Sequence, residues 1–326
     1  MFKVGSVKKL ILNILLLIVG FILLIKGADI FVDGSSSTAQ NFKVSKMLIG
    51  LTIVAFGTSA PEFAVSMSAL ASGSTDMVLG NVIGSNILNI LLILGVAAVI
   101  RPIEIKEDTV KKELPLTLLI STLLVVLFLD ISLGNGTINQ ISRADGIVIL
   151  LFFTIFLYYS ITLAKQKKKL KEEDKPQFKL GKSLLFVLLG LVAIVFGSNL
   201  VVNNASDIAA TLGISERVIS LTIIAFGTSL PELVTTIVSA KKGEQDLLVG
   251  NIIGSNIFNI CVVLGVPVAI YGGIVPSSFQ IMDLIMLVGS AFLLFVFSET
   301  SKRITKIEGI LMLITFAIYY TLVFVI

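Results

Sequence analysis

Residues Leu51 to Val96 can be laid onto Leu221 to Val266 at a constant offset of 170 without a gap, and 24 of the 46 positions are identical. The same register pairs Gly27 with Gly197 and Ser45 with Ser215. A chain that carries one segment twice is restricted to folds built from two like halves. Ten apolar runs have the length of a membrane span, at roughly 10 to 26, 46 to 71, 77 to 100, 114 to 130, 146 to 164, 183 to 201, 217 to 241, 247 to 271, 280 to 298 and 308 to 326. None has the dyad alternation of a barrel strand, so all ten are expected to be helices. Five spans per half is an odd number. The second copy therefore enters the bilayer upside down, the inverted-repeat plan of secondary transporters. The expected division is 1–164 for the first five-helix repeat, 165–182 for a lysine-rich linker and 183–326 for the second, inverted repeat.

Composition agrees with a polytopic membrane protein: 56% of residues are hydrophobic and only 14% charged, against roughly 25% charged in a soluble domain. Cys261 is the single cysteine and histidine is absent, which removes an internal disulfide, cysteine-rich metal sites, His-dependent triads, haem ligation and zinc sites built on histidine. The first 25 residues resemble a signal peptide, but Lys26 closes the run and no small-x-small site follows, so the segment is expected to stay as the first span. Sorting the 25 Lys and Arg residues by alternate loops puts 20 on one side and 5 on the other. The positive-inside rule then places the rich side, with the linker, in the cytoplasm and both termini outside. That asymmetry is read as the source of the basic pI, in place of nucleic-acid binding.

Two polar motifs recur inside apolar spans: AFGTSAPE at Ala55 to Glu62 and AFGTSLPE at Ala225 to Glu232, then GNVIGSNILN at Gly80 to Asn89 and GNIIGSNIFN at Gly250 to Asn259. Proline inside a helix removes a donor and clashes with the carbonyl four residues back. Pro61 and Pro231 are therefore expected to break their helices and free the carbonyls of Gly57 and Gly227. Glu62 and Glu232 are the two acidic residues placed deep in spans, with no Lys or Arg in either motif. An unpaired intramembrane carboxylate is costly, so the compensating charge is expected from a bound cation. Ser85 and Asn89, like Ser255 and Asn259, are spaced i, i+4 and share a helical face; they could ligate or could join helices. Gly80, Gly84, Gly250 and Gly254 are assigned to close helix packing. Carboxylates, hydroxyls, amides and freed carbonyls, without nitrogen or sulfur ligands, make a hard-cation set that suits Ca²⁺ better than Mg²⁺.

These motifs resemble the alpha repeats of the cation/calcium antiporter superfamily, most closely its sodium/calcium exchanger branch, and the resemblance covers nearly the whole chain. It implies broken second, third, seventh and eighth helices, with Glu62 and Glu232 shared by Ca²⁺ and Na⁺. It further implies Na⁺ ligands from Ser59, Ser85, Ser229, Ser255 and the carbonyls of Ala55 and Ala225, Ca²⁺ ligands from the carbonyls of Thr58 and Thr228, and a polar central position at Asn89 and Asn259. An aspartate stands at the Asn259 position in the potassium-dependent branch, so K⁺ co-transport is not expected.

The resulting expectation is an all-α, multi-pass cell-membrane protein, not an enzyme, without cofactor or nucleic-acid partner and functional as a monomer in the lipid bilayer. It would exchange several Na⁺ for one Ca²⁺ by alternating access and export Ca²⁺. A Ca²⁺/H⁺ antiporter using the same glutamates is the alternative in mechanism, and a cation channel the alternative in class.

Overall fold

The computed structural model describes residues 4–133, 136–165, 175–213, 225–275 and 281–325. Ser215 and Arg217, used above for register and charge, lie outside them, as does the linker stretch 166–174.

The described chain is helical apart from one two-residue strand pair, Ile103–Glu104 with Arg303–Ile304, and one isolated bridge. Its principal helices are α1 (Val4–Phe42), α2 (Lys46–Thr58), α3 (Ala60–Ala71), α4 (Thr75–Ile100), α5 (Glu113–Phe128), α6 (Arg143–Lys165), α7 (Leu180–Thr211), α8 (Leu230–Lys242), α9 (Gln245–Tyr271), α10 (Ile281–Ser301) and α11 (Lys306–Val325). Among the described residues seven helices are long and apolar enough to cross a membrane, or eight counting α2 and α3 as one bent span. The count falls short of ten on length: α5 has 16 residues, and the expected span from 217 to 241 begins outside the described residues. The expected first span, 10 to 26, is part of a helix of 39 residues. At 1.5 Å per residue that is about 58 Å, well beyond the roughly 30 Å hydrocarbon core.

α1 and α7 pack antiparallel along a seam of glycines. A Cβ at Gly20 would sit 3.0 Å from the Gly197 carbonyl, and one at Gly34 would sit 2.9 Å from that of Ser183. Only glycine lets the two backbones approach so closely, the usual device of membrane helix pairs. The contact between Gly20 and Gly197 has a counterpart between Gly190 and Gly27, where a Cβ on Gly190 would lie 2.8 Å from the Gly27 carbonyl. Adding 170 to Gly20 gives Gly190, and subtracting it from Gly197 gives Gly27. The other face of α1 carries Ile11, Leu15, Ile18 and Ile22, all about half exposed, as suits a surface covered by lipid.

The remaining helices enclose a buried centre. α2 crosses α9 where a Cβ on Gly50 would meet the Leu247 carbonyl at 2.6 Å, and one on Gly250 the Met47 carbonyl at 2.6 Å. Each half also pins its last two helices with an acid and a tyrosine: Tyr159 donates to Glu113, and Tyr319 donates to Asp283 at 2.7 Å. Glu113 starts α5, near the edge of the expected span from 114 to 130, yet it is 3% exposed. Depth along the sequence and burial by neighbouring helices are separate quantities.

Candidate functional site

The expected breaks fall one residue ahead of the alanine or leucine that precedes each proline. Ser59 (φ −83°, ψ 6°) and Ser229 (φ −89°, ψ 6°) leave the helical region, and Pro61 and Pro231 then sit in the first turn of α3 and α8, where a missing N–H costs nothing. α2 and α3 meet at 45°. The consequence for the freed carbonyls is uneven. The Gly227 carbonyl is taken by the Ser198 hydroxyl of α7 at 2.8 Å, whereas the position equivalent to Ser198 in the first half is Ala28, which has no hydroxyl to offer.

The two breaks bring the glutamates to the centre, each 1% exposed, and the halves exchange hydrogen bonds across it. Ser59 Oγ donates to Glu232 Oε1 at 3.0 Å, and Ser229 Oγ donates to Glu62 Oε1 at 3.2 Å. Thr228 also faces Glu62, while Thr58 and Ser255 also face Glu232. Ser85 lies 3.4 Å from Ser229, and Thr58 lies 3.5 Å from Ser255 and donates to Asn251 Oδ1 at 3.2 Å. The carbonyl of Ala55 accepts the Ser59 N–H at 3.0 Å and lies 3.4 Å from the Thr58 hydroxyl. Ala225 heads the short helical turn that ends at Gly227.

Among the described residues Asn89 and Asn259 bond other asparagines and not the glutamates. Asn89 Nδ2 donates to Asn256 Oδ1 at 3.1 Å and Asn259 Nδ2 to Asn86 Oδ1 at 3.4 Å. Both stand at the start of π-helical turns, Leu88–Leu94 and Asn259–Leu264, a distortion often found at functional sites. The side-chain oxygens Glu62 Oε2, Glu232 Oε2, Asn89 Oδ1 and Asn259 Oδ1 are buried and accept no hydrogen bond. Buried acceptors are ordinarily satisfied. Among the described residues none donates to these four, which are matched in pairs by the offset of 170, and a cation could satisfy them.

Sequence reasoning missed the asparagines that support this set. Asn81 Nδ2 donates to the Glu62 carbonyl at 3.0 Å and to Ser66 Oγ at 2.9 Å, and Asn251 Nδ2 donates to Thr236 Oγ1 at 3.4 Å. Both pairs, Asn81 with Asn251 and Asn86 with Asn256, are identical between the repeats, the same signal that singled out Ser85 and Asn89. The glycine reading is met in the second repeat. Gly250 and Gly254 are packing positions, each with a carbonyl 2.6 Å from a built Cβ. For Gly80 and Gly84 nothing among the described residues lies within 4 Å of such a Cβ, and the copy of the segment that packs on Gly250, residues 217–224, lies outside them. Gly80 is exposed and Asn81 half-buried, while Gly250 and Asn251 are buried.

The chain matches the family model of the sodium/calcium exchanger protein over residues 12–162 and 182–325. It is 40% identical to the putative antiporter CaxA of Alkalimonas amylolytica over 94% of this chain and 97% of that one. With the sodium/calcium exchanger MaX1 of Methanosarcina acetivorans the identity is 30%, over 96% and 98% of the two chains. The fold is similar to a solved structure of the sodium-calcium exchanger NCX_Mj soaked with 10 mM Na⁺ and zero Ca²⁺, with a TM-score of 0.83, 33% identity and coverage of 97% and 99%.

Proposed function

This chain belongs to the sodium/calcium exchanger protein family, and from that premise we propose that it exports Ca²⁺ in exchange for several Na⁺ by alternating access. The observation that carries the reading is the paired set of buried oxygens without donors on Glu62, Glu232, Asn89 and Asn259. Two carboxylates balance one Ca²⁺, so the loaded centre is neutral and can be occluded. Ser59, Ser229, Ser85 and Ser255 add hydroxyl oxygens, and Thr58, Thr228, Ala55 and Ala225 add carbonyls from the broken helices. Ca²⁺ accepts six to eight oxygens at about 2.3–2.6 Å, which a centre of this composition can supply without retained water. Smaller numbers of the same oxygens suit Na⁺.

The architecture in this reading is ten helices in two inverted repeats, 1–164 and 183–326, joined by the linker 165–182. It is supported by the glycine contacts that exchange under the offset of 170 and by the crossed serine–glutamate bonds. The exposure of Gly80 beside the burial of Gly250 supports a centre reached from one side at a time. Charge asymmetry assigns the Gly80 end to the outside and the termini with it. The transporter is placed in the cell membrane and works as a monomer, because each centre draws on both halves of one chain. Sodium coupling is favoured by the named activity of MaX1 and by the lack of any acidic residue between Val82 and Asn89, where the family resemblance implies one in the proton-coupled branch. The test is calorimetric titration of purified protein with Ca²⁺ at rising Na⁺. Competition is expected; Ca²⁺ binding indifferent to Na⁺ would exclude a shared centre.

A further inference from the structure

Four asparagines meet across the junction of the two halves, and each is at most 2% exposed. Asn89 bonds Asn256, and Asn259 bonds Asn86. Under the offset of 170, Asn86 becomes Asn256 and Asn89 becomes Asn259, so one bond is made twice. In both copies the donor is the residue assigned to the cation centre, and the acceptor is the residue three positions earlier on the opposite helix. Asn256 is itself held, its Nδ2 donating to the Asn86 carbonyl at 3.5 Å.

A carboxamide has an acceptor end and a donor end of nearly the same shape. Beside a hard cation the two are not equivalent. Turned one way, Asn89 offers an oxygen; turned the other, it offers two N–H groups and repels the ion. Nothing within the side chain decides between these orientations. The decision falls to whatever binds the far end, and here that is the side-chain oxygen of Asn256 for Asn89 and of Asn86 for Asn259. With Nδ2 engaged, the Oδ1 atoms of Asn89 and Asn259 are left without a donor, as a ligand oxygen requires.

We propose that Asn86 and Asn256 are positioning residues: without touching the ion, each fixes the carboxamide of the opposite repeat with its oxygen toward the cation. The inference rests on the reading of the centre as a cation site. It also explains why both amides need the other half of the molecule. Ca²⁺ affinity then depends on the register of α4 against α9, and an amide pair that parts during transport releases its ligand oxygen with it.

The test is a pair of double-mutant cycles read as Ca²⁺ half-saturation and maximal exchange rate in proteoliposomes, with thermal stability as a control. Asn86→Leu removes the acceptor at nearly constant volume. It should weaken Ca²⁺ half-saturation roughly five- to tenfold, the scale of one hydrogen-bond-sized interaction, with a smaller effect on maximal rate. Asn86→Asp keeps an acceptor and gives up only an Nδ2 that has no partner, so it should not weaken half-saturation. Because Asn86 acts through Asn259, the Asn86→Leu/Asn259→Leu double variant should be no weaker than Asn259→Leu alone. If Asn86→Leu does not fold, the mirrored cycle of Asn256→Leu with Asn89→Leu applies the same criterion. Unchanged half-saturation in Asn86→Leu, or additive loss with Asn259→Leu, would overturn the proposal while leaving the cation site standing. Wild-type protein that binds no Ca²⁺ would remove the site itself.

Discussion

Glu62→Gln separates charge from shape at the centre of the molecule. Glutamine keeps the length of the side chain and an oxygen for the Ser229 hydroxyl, now 3.2 Å from Glu62 Oε1, and the backbone carbonyl held by Asn81 is untouched. What changes is Oε2, the buried oxygen without a partner, which becomes an NH₂ group. Two unit charges about 4 Å apart attract by roughly 4 kcal/mol at an effective dielectric constant near 20, so one carboxylate contributes on the order of 8 kcal/mol of attraction to a divalent ion. Desolvation of the carboxylate offsets a large part of this. If about half survives, Ca²⁺ affinity falls by roughly 4 kcal/mol, or about a thousandfold, whereas Na⁺ affinity falls by about 2 kcal/mol, or roughly thirtyfold. The assay is calorimetric titration of purified wild type and variant with each ion, alongside thermal melting in detergent. A melting temperature near wild type with selective loss of Ca²⁺ is expected. Ca²⁺ affinity within tenfold of wild type, or a larger loss for Na⁺ than for Ca²⁺, would refute the electrostatic reasoning.

Three further outcomes follow from the same geometry. Asn259→Asp loses the amide donor to Asn86 Oδ1 and, when ionised, adds a third negative charge; exchange should become pH-sensitive between about pH 6 and 9, a window that includes a carboxyl raised by burial, and an unaltered profile would place residue 259 outside the ion site. If three Na⁺ move against one Ca²⁺, a stoichiometry that the family resemblance implies, one net charge crosses per cycle and the exchange rate should respond to a valinomycin-clamped potential. A rate independent of potential would require a different stoichiometry. At the lysine-rich end, Glu244 binds Lys46 and Ser36, and Lys242 binds Asp29 and Asp33 at 2.7 Å, while the positions offset by 170 from Asp29, Asp33, Lys242 and Glu244 are the uncharged Asn199, Asn203, Ser72 and Ser74. Lys242→Gln should therefore loosen this end by about 1 kcal/mol and speed thiol labelling of a cysteine placed at the buried Val249 by roughly fivefold; equal labelling would show that the ion pairs do not hold it closed.

The sequence was most informative where chemistry conflicts with solvent. A proline and a carboxylate in the middle of an apolar run have few physical solutions, so the breaks at Ser59 and Ser229 and the burial of Glu62 and Glu232 could be expected from residues alone. Contacts between distant segments were not legible in the same way. Ser198 closes the Gly227 carbonyl from 29 residues away, and nothing around Ser198 announces it, because a serine in a membrane helix more often bonds its own backbone. The four-asparagine junction depends on partners 167 and 173 residues apart, and amide orientation has no sequence signature. The π-helical turns beginning at Leu88 and Asn259 likewise need one extra residue per turn, which apolar periodicity does not resolve over six or seven residues. Gly80 is exposed where Gly250, identical in motif, is buried, and a repeat read in sequence carries no information on that asymmetry.

The coupling ion is the point on which the account depends most. Purified protein in sealed proteoliposomes should be loaded with Na⁺ and diluted into Na⁺-free medium containing ⁴⁵Ca²⁺, with a second set given only a pH gradient at equal Na⁺ on both sides. Concentrative Ca²⁺ uptake is expected with the Na⁺ gradient, is expected to vanish when the gradient is collapsed and is expected to be absent in Glu62→Gln and Glu232→Gln. Uptake driven by the pH gradient and indifferent to Na⁺ would contradict sodium coupling and make Glu62 and Glu232 proton carriers instead.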